Sequence, residues 1–151
     1  MHIPAELTQV EMMVFDVDGT LTGADHAISE AVLDGMRTLD QAGVKIVVAS
    51  GRAPAACASA FRAAGLHGWA CSCNAASVTD IATGEILHRA PVPHEVTRAV
   101  LDICETEDMN CTIFTDDEIL VGRQDFLAEF VEASNDCLLY TSDAADDSLR
   151  V

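Results

Sequence analysis

The segment Asp16-Val17-Asp18-Gly19-Thr20 places two carboxylates two positions apart, directly after the apolar run Met12 to Phe15. A carboxylate at Asp16 can attack phosphorus and form an aspartyl-phosphate, which divides hydrolysis into two displacement steps. A second cluster, Ser50-Gly51-Arg52, follows the apolar segment Val44 to Ala49. The Ser50 hydroxyl and the amides after it can donate to phosphate oxygens as a small anion nest. Ser50 could equally cap a helix starting at Pro54. Arg52 could meet a substrate or fix the loop by an ion pair. Because Asp16 must approach an anion of like sign, a hard cation such as Mg2+ on carboxylate and phosphate oxygens is implied.

The elements that must position these residues are legible in the apolar pattern. Met12 to Phe15, closed by a glycine turn, reads as a buried strand. Ser29 is a good N-cap, and Val32, Met36 and Leu39 repeat at helical spacing until Gly43 stops the helix. Val44 to Ala49 reads as a second buried strand. Strand, helix and strand in that order imply a parallel pair, with Asp16 and Ser50 side by side at the sheet edge where ligands of such folds bind. Pro54 suits the first turn of a helix running through Ala55 to Ala64 and stopping at Gly65. A strand at Trp69 to Cys73 follows. Ser77 to Ile81 and Glu85 to Arg89 then form a hairpin through Ala82-Thr83-Gly84. Beyond Pro91 and Pro93, a helix through Val96, Val100, Ile103 and Cys104 precedes strands at Cys111 to Phe114 and Ile119 to Val121, joined by an exposed turn at Asp116-Asp117. Phe126, Leu127, Phe130 and Val131 predict one more helix over 125–133.

The chain has 151 residues, half of them hydrophobic, and a formal net charge of −17. Apolar and charged residues are interleaved, as in a globular protein. The negative charge repels phosphate backbones and anionic lipid surfaces, so neither nucleic acid nor membrane is an expected partner. A small anionic substrate would need a local cation. No run reaches the roughly 18 to 20 apolar residues that cross a bilayer. The first residues lack a secretory pattern, so a cytoplasmic location is expected. The six cysteines have no disulfide-framework spacing and read as reduced thiols. Cys71 and Cys73 with the distant His67 do not match a zinc knuckle.

Asp16 to Thr20 after an apolar strand, followed by Ala49-Ser50-Gly51-Arg52 after the next, resembles the first two motifs of the haloacid dehalogenase superfamily. The likeness extends through Asn74, the hairpin and Thr115-Asp116-Asp117 to about residue 133, and is especially close to the Cof-type (HAD-IIB) phosphatases. It implies an α/β fold: a Rossmann-like core, a parallel sheet with flanking helices, incomplete here, plus part of an α+β cap domain. It also implies catalytic roles for Asp16 and Asp18, with Asp18 as the acid and base that serves leaving group and water. Ser50, Gly51, Arg52 and Asn74 are the implied phosphate and substrate contacts, and Asp16 with the Asp18 carbonyl the implied metal ligands. The substrate would be a small phosphorylated metabolite of the sugar phosphate, FMN or PLP type. Where relatives carry Asn-Gly-Ala, this chain has Asn74-Ala75-Ala76, which removes easy access to positive φ.

Two further family motifs are a lysine balancing charge on Asp16 and phosphate, and a later acidic cluster completing the metal site. Lys45 is the only lysine and, at about 3.3 Å per strand residue, lies about 16 Å from the active edge. Ser142-Asp143-Ala144-Ala145-Asp146-Asp147, after a possible strand at Cys137 to Thr141, mimics the acidic cluster without the preceding lysine strand. Cys137 to Asp146 also resembles translated sequencing-adapter read-through. The expected organisation is therefore 1–90 as the N-terminal part of a core, 91–137 as a partial cap and 138–151 as a non-native tail, in a fragment inactive by itself. The alternative is a non-catalytic phosphoacceptor or binding module of the same fold, in which Asp16 is modified but not turned over.

Overall fold

The computed structural model describes residues 10–23, 27–115, 118–135 and 139–141. Its first sheet runs β1 (Met12–Asp16), β2 (Lys45–Ala49), β3 (Gly68–Ser72), β4 (Ser77–Asp80) and β5 (Ile86–Arg89), in that spatial order. β1, β2 and β3 are parallel, whereas β3–β4 and β4–β5 are antiparallel. Helix α1 (Glu30–Gln41) links β1 to β2, and α2 (Pro54–Ala63) links β2 to β3. This is the Rossmann-like arrangement expected, extended by the predicted hairpin.

β2 is the middle of the parallel set, and its apolar run is correspondingly buried: Ile46 and Val48 are inaccessible. They pack with Val17, Met36, Phe61, Leu66 and Ile81 in one core. Burying Ile46, Phe61 or Leu66 fully contributes about 1.5–3 kcal/mol each. The predicted caps form: Ser29 Oγ accepts from Val32 N–H at 3.4 Å, and Gly43 and Gly65 take positive φ just after their helices. Gly68 is required by space as well as by its φ of 133°, because a Cβ there would sit 2.0 Å from the Ile46 carbonyl oxygen.

One expectation is corrected. β1 is not a buried strand: it forms the sheet's edge, with Met12 47% and Val14 63% exposed. Its composition matches that of β2, and only the position in the sheet separates them.

The second sheet contains β6 (Thr112–Phe114), β7 (Ile119–Val121) and β8 (Leu139–Thr141). β7 is fully buried between an antiparallel partner, β6, and a parallel one, β8. Helices α3 (His94–Thr106) and α4 (Phe126–Asn135) flank it in sequence. Both present apolar side chains to solvent, among them Ile103 and Phe126. The strand considered at Cys137 to Thr141 is thus partly realised as β8, beside β7 in this second sheet. Asp116-Asp117 and the acidic residues 143–147 lie outside the described residues. Among the described residues no helix is long and apolar enough to cross a membrane.

Candidate active site

Asp16 is the last residue of β1 and pairs in register with Ala49, the last of β2. Ser50 follows immediately, with its N–H donating to the Cys71 carbonyl of β3 at 2.9 Å. Asp16 and the Ser50-Gly51-Arg52 loop therefore leave adjacent parallel strands at the same end, as the spacing predicts. Lys45 pairs with Met12 at the opposite end of the same two strands.

The chain after Asp16 winds into a tight loop that exposes both carboxylates. Thr22 N–H closes the loop on the Val17 carbonyl at 3.0 Å. The buried Thr22 hydroxyl donates to that same carbonyl at 3.2 Å and accepts from Gly19 N–H at 3.2 Å. Gly19 takes a φ of 78°, open to glycine without Cβ strain, so the reversal falls directly after Asp18. Thr22 was not singled out from sequence, and its only signal is its place at the end of the loop.

Arg52 crosses to this loop and grips Asp18 at two points: Nη2 donates to Oδ1 at 2.7 Å and Nε to Oδ2 at 3.1 Å. The Arg52 side chain is 14% exposed and that of Asp18 45%. Of the two roles open to Arg52, the ion pair is the one formed here. Asp16 is less constrained, with Thr20 Oγ1 3.5 Å from its Oδ2. Ser50 is buried, and its Oγ accepts from Arg52 N–H at 3.2 Å, so the hydroxyl shapes the loop. Asn74 joins the same cluster. Its N–H donates to the Ser50 carbonyl at 3.3 Å, and its amide oxygen lies 3.4 Å from where a Gly51 Cβ would be. The turn holding it keeps the left-handed conformation without glycine: Cys73, Asn74 and Ala75 have φ of 48°, 54° and 70°. Cys73 N–H donates to the Arg52 carbonyl at 2.9 Å, tying that turn to the loop.

Two contributors come from elsewhere in the chain. Asn135, at the end of α4, is buried and accepts from Ala53 N–H through Oδ1 at 2.7 Å, just after Arg52. Nothing in the local sequence marks a partner 82 residues away. Cys57 lies under the site, and burial pushes its thiol up to about 12, with Arg52 opposing. His67, by contrast, pairs with Asp40 at 3.0 Å.

Among the described residues no three His, Cys, Asp or Glu side chains gather as a metal cluster. The Asp16 carboxylate and the Asp18 carbonyl are nonetheless hard oxygen donors. Mg2+ typically takes one or two carboxylates and completes its shell with water and substrate phosphate, so the donor set fits.

The family profile for haloacid dehalogenase-like hydrolases matches residues 13–148. The chain belongs to that family. The Cof-type branch expected from the motifs agrees with its relatives. It is 27% identical over 106 residues to Phosphatase YwpJ of Bacillus subtilis, a match covering 70% of this chain and 37% of that protein. It is 31% identical over 114 residues to the HMP-PP phosphatase of Yersinia pseudotuberculosis, covering 76% and 41%. The chain thus spans less than half the length of these relatives. The fold is that of a haloacid dehalogenase-like hydrolase from Bacteroides thetaiotaomicron, with a TM-score of 0.79 at 20% identity, covering 89% of this chain and 52% of that one. A haloacid dehalogenase-like hydrolase from B. subtilis gives the same TM-score at 19% identity, covering 94% and 57%.

Proposed function

We propose that this chain carries the phosphoryl-transfer loops of a Mg2+-dependent cytoplasmic phosphatase acting on small phosphate monoesters of the sugar phosphate, FMN or PLP type. The observation that carries the proposal is the convergence of Asp16, the Arg52-held Asp18 and the Ser50-Gly51-Arg52 loop at one end of two parallel strands. Family membership and the printed activities of the two relatives support it.

In the first displacement an Asp16 oxygen attacks phosphorus, the ester P–O bond breaks, and Asp18 gives a proton to the leaving alkoxide. In the second, Asp18 takes a proton from water, which attacks the phosphorus of the aspartyl-phosphate and frees Asp16 and inorganic phosphate. Amides of the loop after Ser50 and the Asn74 amide group face the phosphate oxygens. Asp16 and the Asp18 carbonyl would hold Mg2+, which would supply the positive charge that offsets repulsion between carboxylate and phosphate.

Residues 1–90 belong to the N-terminal part of the core and 91–137 to part of a cap, with 138–151 a non-native tail. The family's charge-balancing lysine is not supplied by Lys45, which lies at the far end of β2. That placement favours a second reading, a phosphoacceptor that is modified at Asp16 without turnover. One substitution separates the two. In the full-length protein from the source locus, Asp18→Asn traps acid-stable, hydroxylamine-labile phosphoenzyme on Asp16 if the phosphatase mechanism holds. Unchanged turnover in that variant overturns it.

A further inference from the structure

The turn between α3 and β6 brings two cysteines together. Cys104 lies two residues before the end of α3, and Cys111 directly precedes β6. Both are free, half-buried thiols, and their side chains are hydrogen-bonded to each other. The backbone holds them there from several sides. The Cys104 carbonyl accepts from Met109 N–H at 2.8 Å, and the Cys111 carbonyl accepts from Gly122 N–H at 3.0 Å. Asn110 Oδ1 accepts from both Cys111 N–H and Arg123 N–H, each at 3.0 Å. Arg123 in turn donates to the carboxylate and the carbonyl of Asp108 within the turn, at 2.6 and 2.9 Å.

Two sulfurs in contact need only side-chain rotation to reach the roughly 2.05 Å of a disulfide bond. A turn fixed at both cysteines also presents one thiol to the other at high effective concentration, so a mixed disulfide on either is resolved internally. A small reagent has a way in, because Cys111 lines a cleft of about 660 Å³ together with Val100, Leu101 and Thr112. Burial, followed by the neighbouring Cys104, pushes the Cys111 thiol upward, so Cys111 stays protonated until a partner sulfur is in place. The exposed Glu105, Glu107 and Asp108 fill the turn, in a chain of net charge −17. Their field repels an anionic reagent and draws in a cationic one.

We propose that Cys104 and Cys111 are a modification site, a dithiol that closes to a reversible disulfide and reacts with cationic low-molecular-weight disulfides faster than with anionic ones. The Cys104 thiolate attacks one sulfur of a disulfide RSSR, which breaks its S–S bond, expels RS⁻ and leaves Cys104 as a mixed disulfide. Cys111 then gives up its proton, attacks the Cys104 sulfur and expels the second RS⁻. Two protein thiols are oxidised and one RSSR is reduced to two RSH, and excess RSH runs the exchange backwards. The new bond fastens the end of α3 to the start of β6, two elements that both line the cleft.

The test treats the folded full-length protein with cystamine, a cationic disulfide, alkylates the remaining thiols and maps the cysteines by mass spectrometry. Cleavage after Glu105 and Glu107 separates Cys104 from Cys111, so a bond between them appears as a linked pair of peptides. The expected result is that pair, lighter by two hydrogens, forming ahead of any other cysteine pair and vanishing with dithiothreitol. Oxidised glutathione, which is anionic, should form it about tenfold more slowly at low salt, with the gap narrowing as salt is raised. Cys111→Ser, which keeps the shape of the side chain, should stop at a stable cysteamine adduct on Cys104. A linked pair that forms only after unfolding in urea, or other cysteines oxidised as fast in the folded protein, overturns the site. A persistent Cys104 adduct in the unsubstituted protein overturns Cys111 as its partner. Equal rates with the two reagents overturn the charge preference.

Discussion

Arg52 and Asp18, 34 positions apart in the chain, meet as a forked ion pair with contacts of 2.7 and 3.1 Å. A planar guanidinium that donates twice fixes the carboxylate's direction as well as its charge, which a lysine cannot do. In the full-length protein Arg52→Lys is therefore expected to lower kcat by about 10- to 100-fold, part of the roughly 100- to 10,000-fold that a positioned acid and base contributes, with little change in KM. Steady-state phosphate release decides it. A rise in KM at constant kcat would assign Arg52 to substrate binding instead.

Ala75 holds a φ of 70° with its side chain exposed, so little packing offsets the steric cost of that conformation. Ala75→Gly is expected to raise stability by about 1 kcal/mol, the left-handed penalty less the added chain entropy of glycine. The urea midpoint measures it, and a decrease would show that the turn is not strained.

The Asn135 side chain bridges the Ala53 N–H and the Val131 carbonyl, at 2.7 and 2.8 Å. Asn135→Ala leaves the Ala53 donor without its partner beside the catalytic loop, at a cost of about 1–3 kcal/mol. Faster amide exchange at Ala53, together with a lowered urea midpoint, is the expected result. Unchanged exchange there would mean that water replaces the amide.

Cys57 supplies a pH dependence. Its thiol ionises at about 12 in the folded chain against 9.0 when exposed, because burial disfavours the thiolate. The folded pKa is the higher one, so this contribution is complete below 9.0 and is lost as pH rises toward 12. The loss runs at about 1.4 kcal/mol per pH unit within that window. Cys57→Ala, though less stable at neutral pH through its cavity, should show a shallower decline when urea midpoints are compared above pH 9.0. Parallel declines would remove Cys57 as the cause.

The parallel strands and the two loops at their ends were legible because short apolar runs closed by Gly19 and Gly51 carry their own punctuation. Ser29, Gly43 and Gly65 likewise announce helix ends through local backbone needs. The exposure of β1 was not legible, since an edge strand and a central one can share a composition. Arg52 could not be assigned because a long side chain's partner depends on how two distant loops meet. Asn135 gave no local signal at all. It is defined by a partner 82 residues away along the chain.

The candidate site residues all lie between Asp16 and Asn74, whereas Arg89 to Thr115 supply the outer wall of a cleft of about 660 Å³, joined to the core through the Ala90 N–H donated to the Ala76 carbonyl at 2.8 Å. The candidate site loops and the outer wall of the cleft are thus written in consecutive stretches of the gene. A crossover or point change in the later stretch can reshape the cleft while the earlier one is inherited intact. The cleft can then vary in this lineage while the two loops at the strand ends keep their geometry.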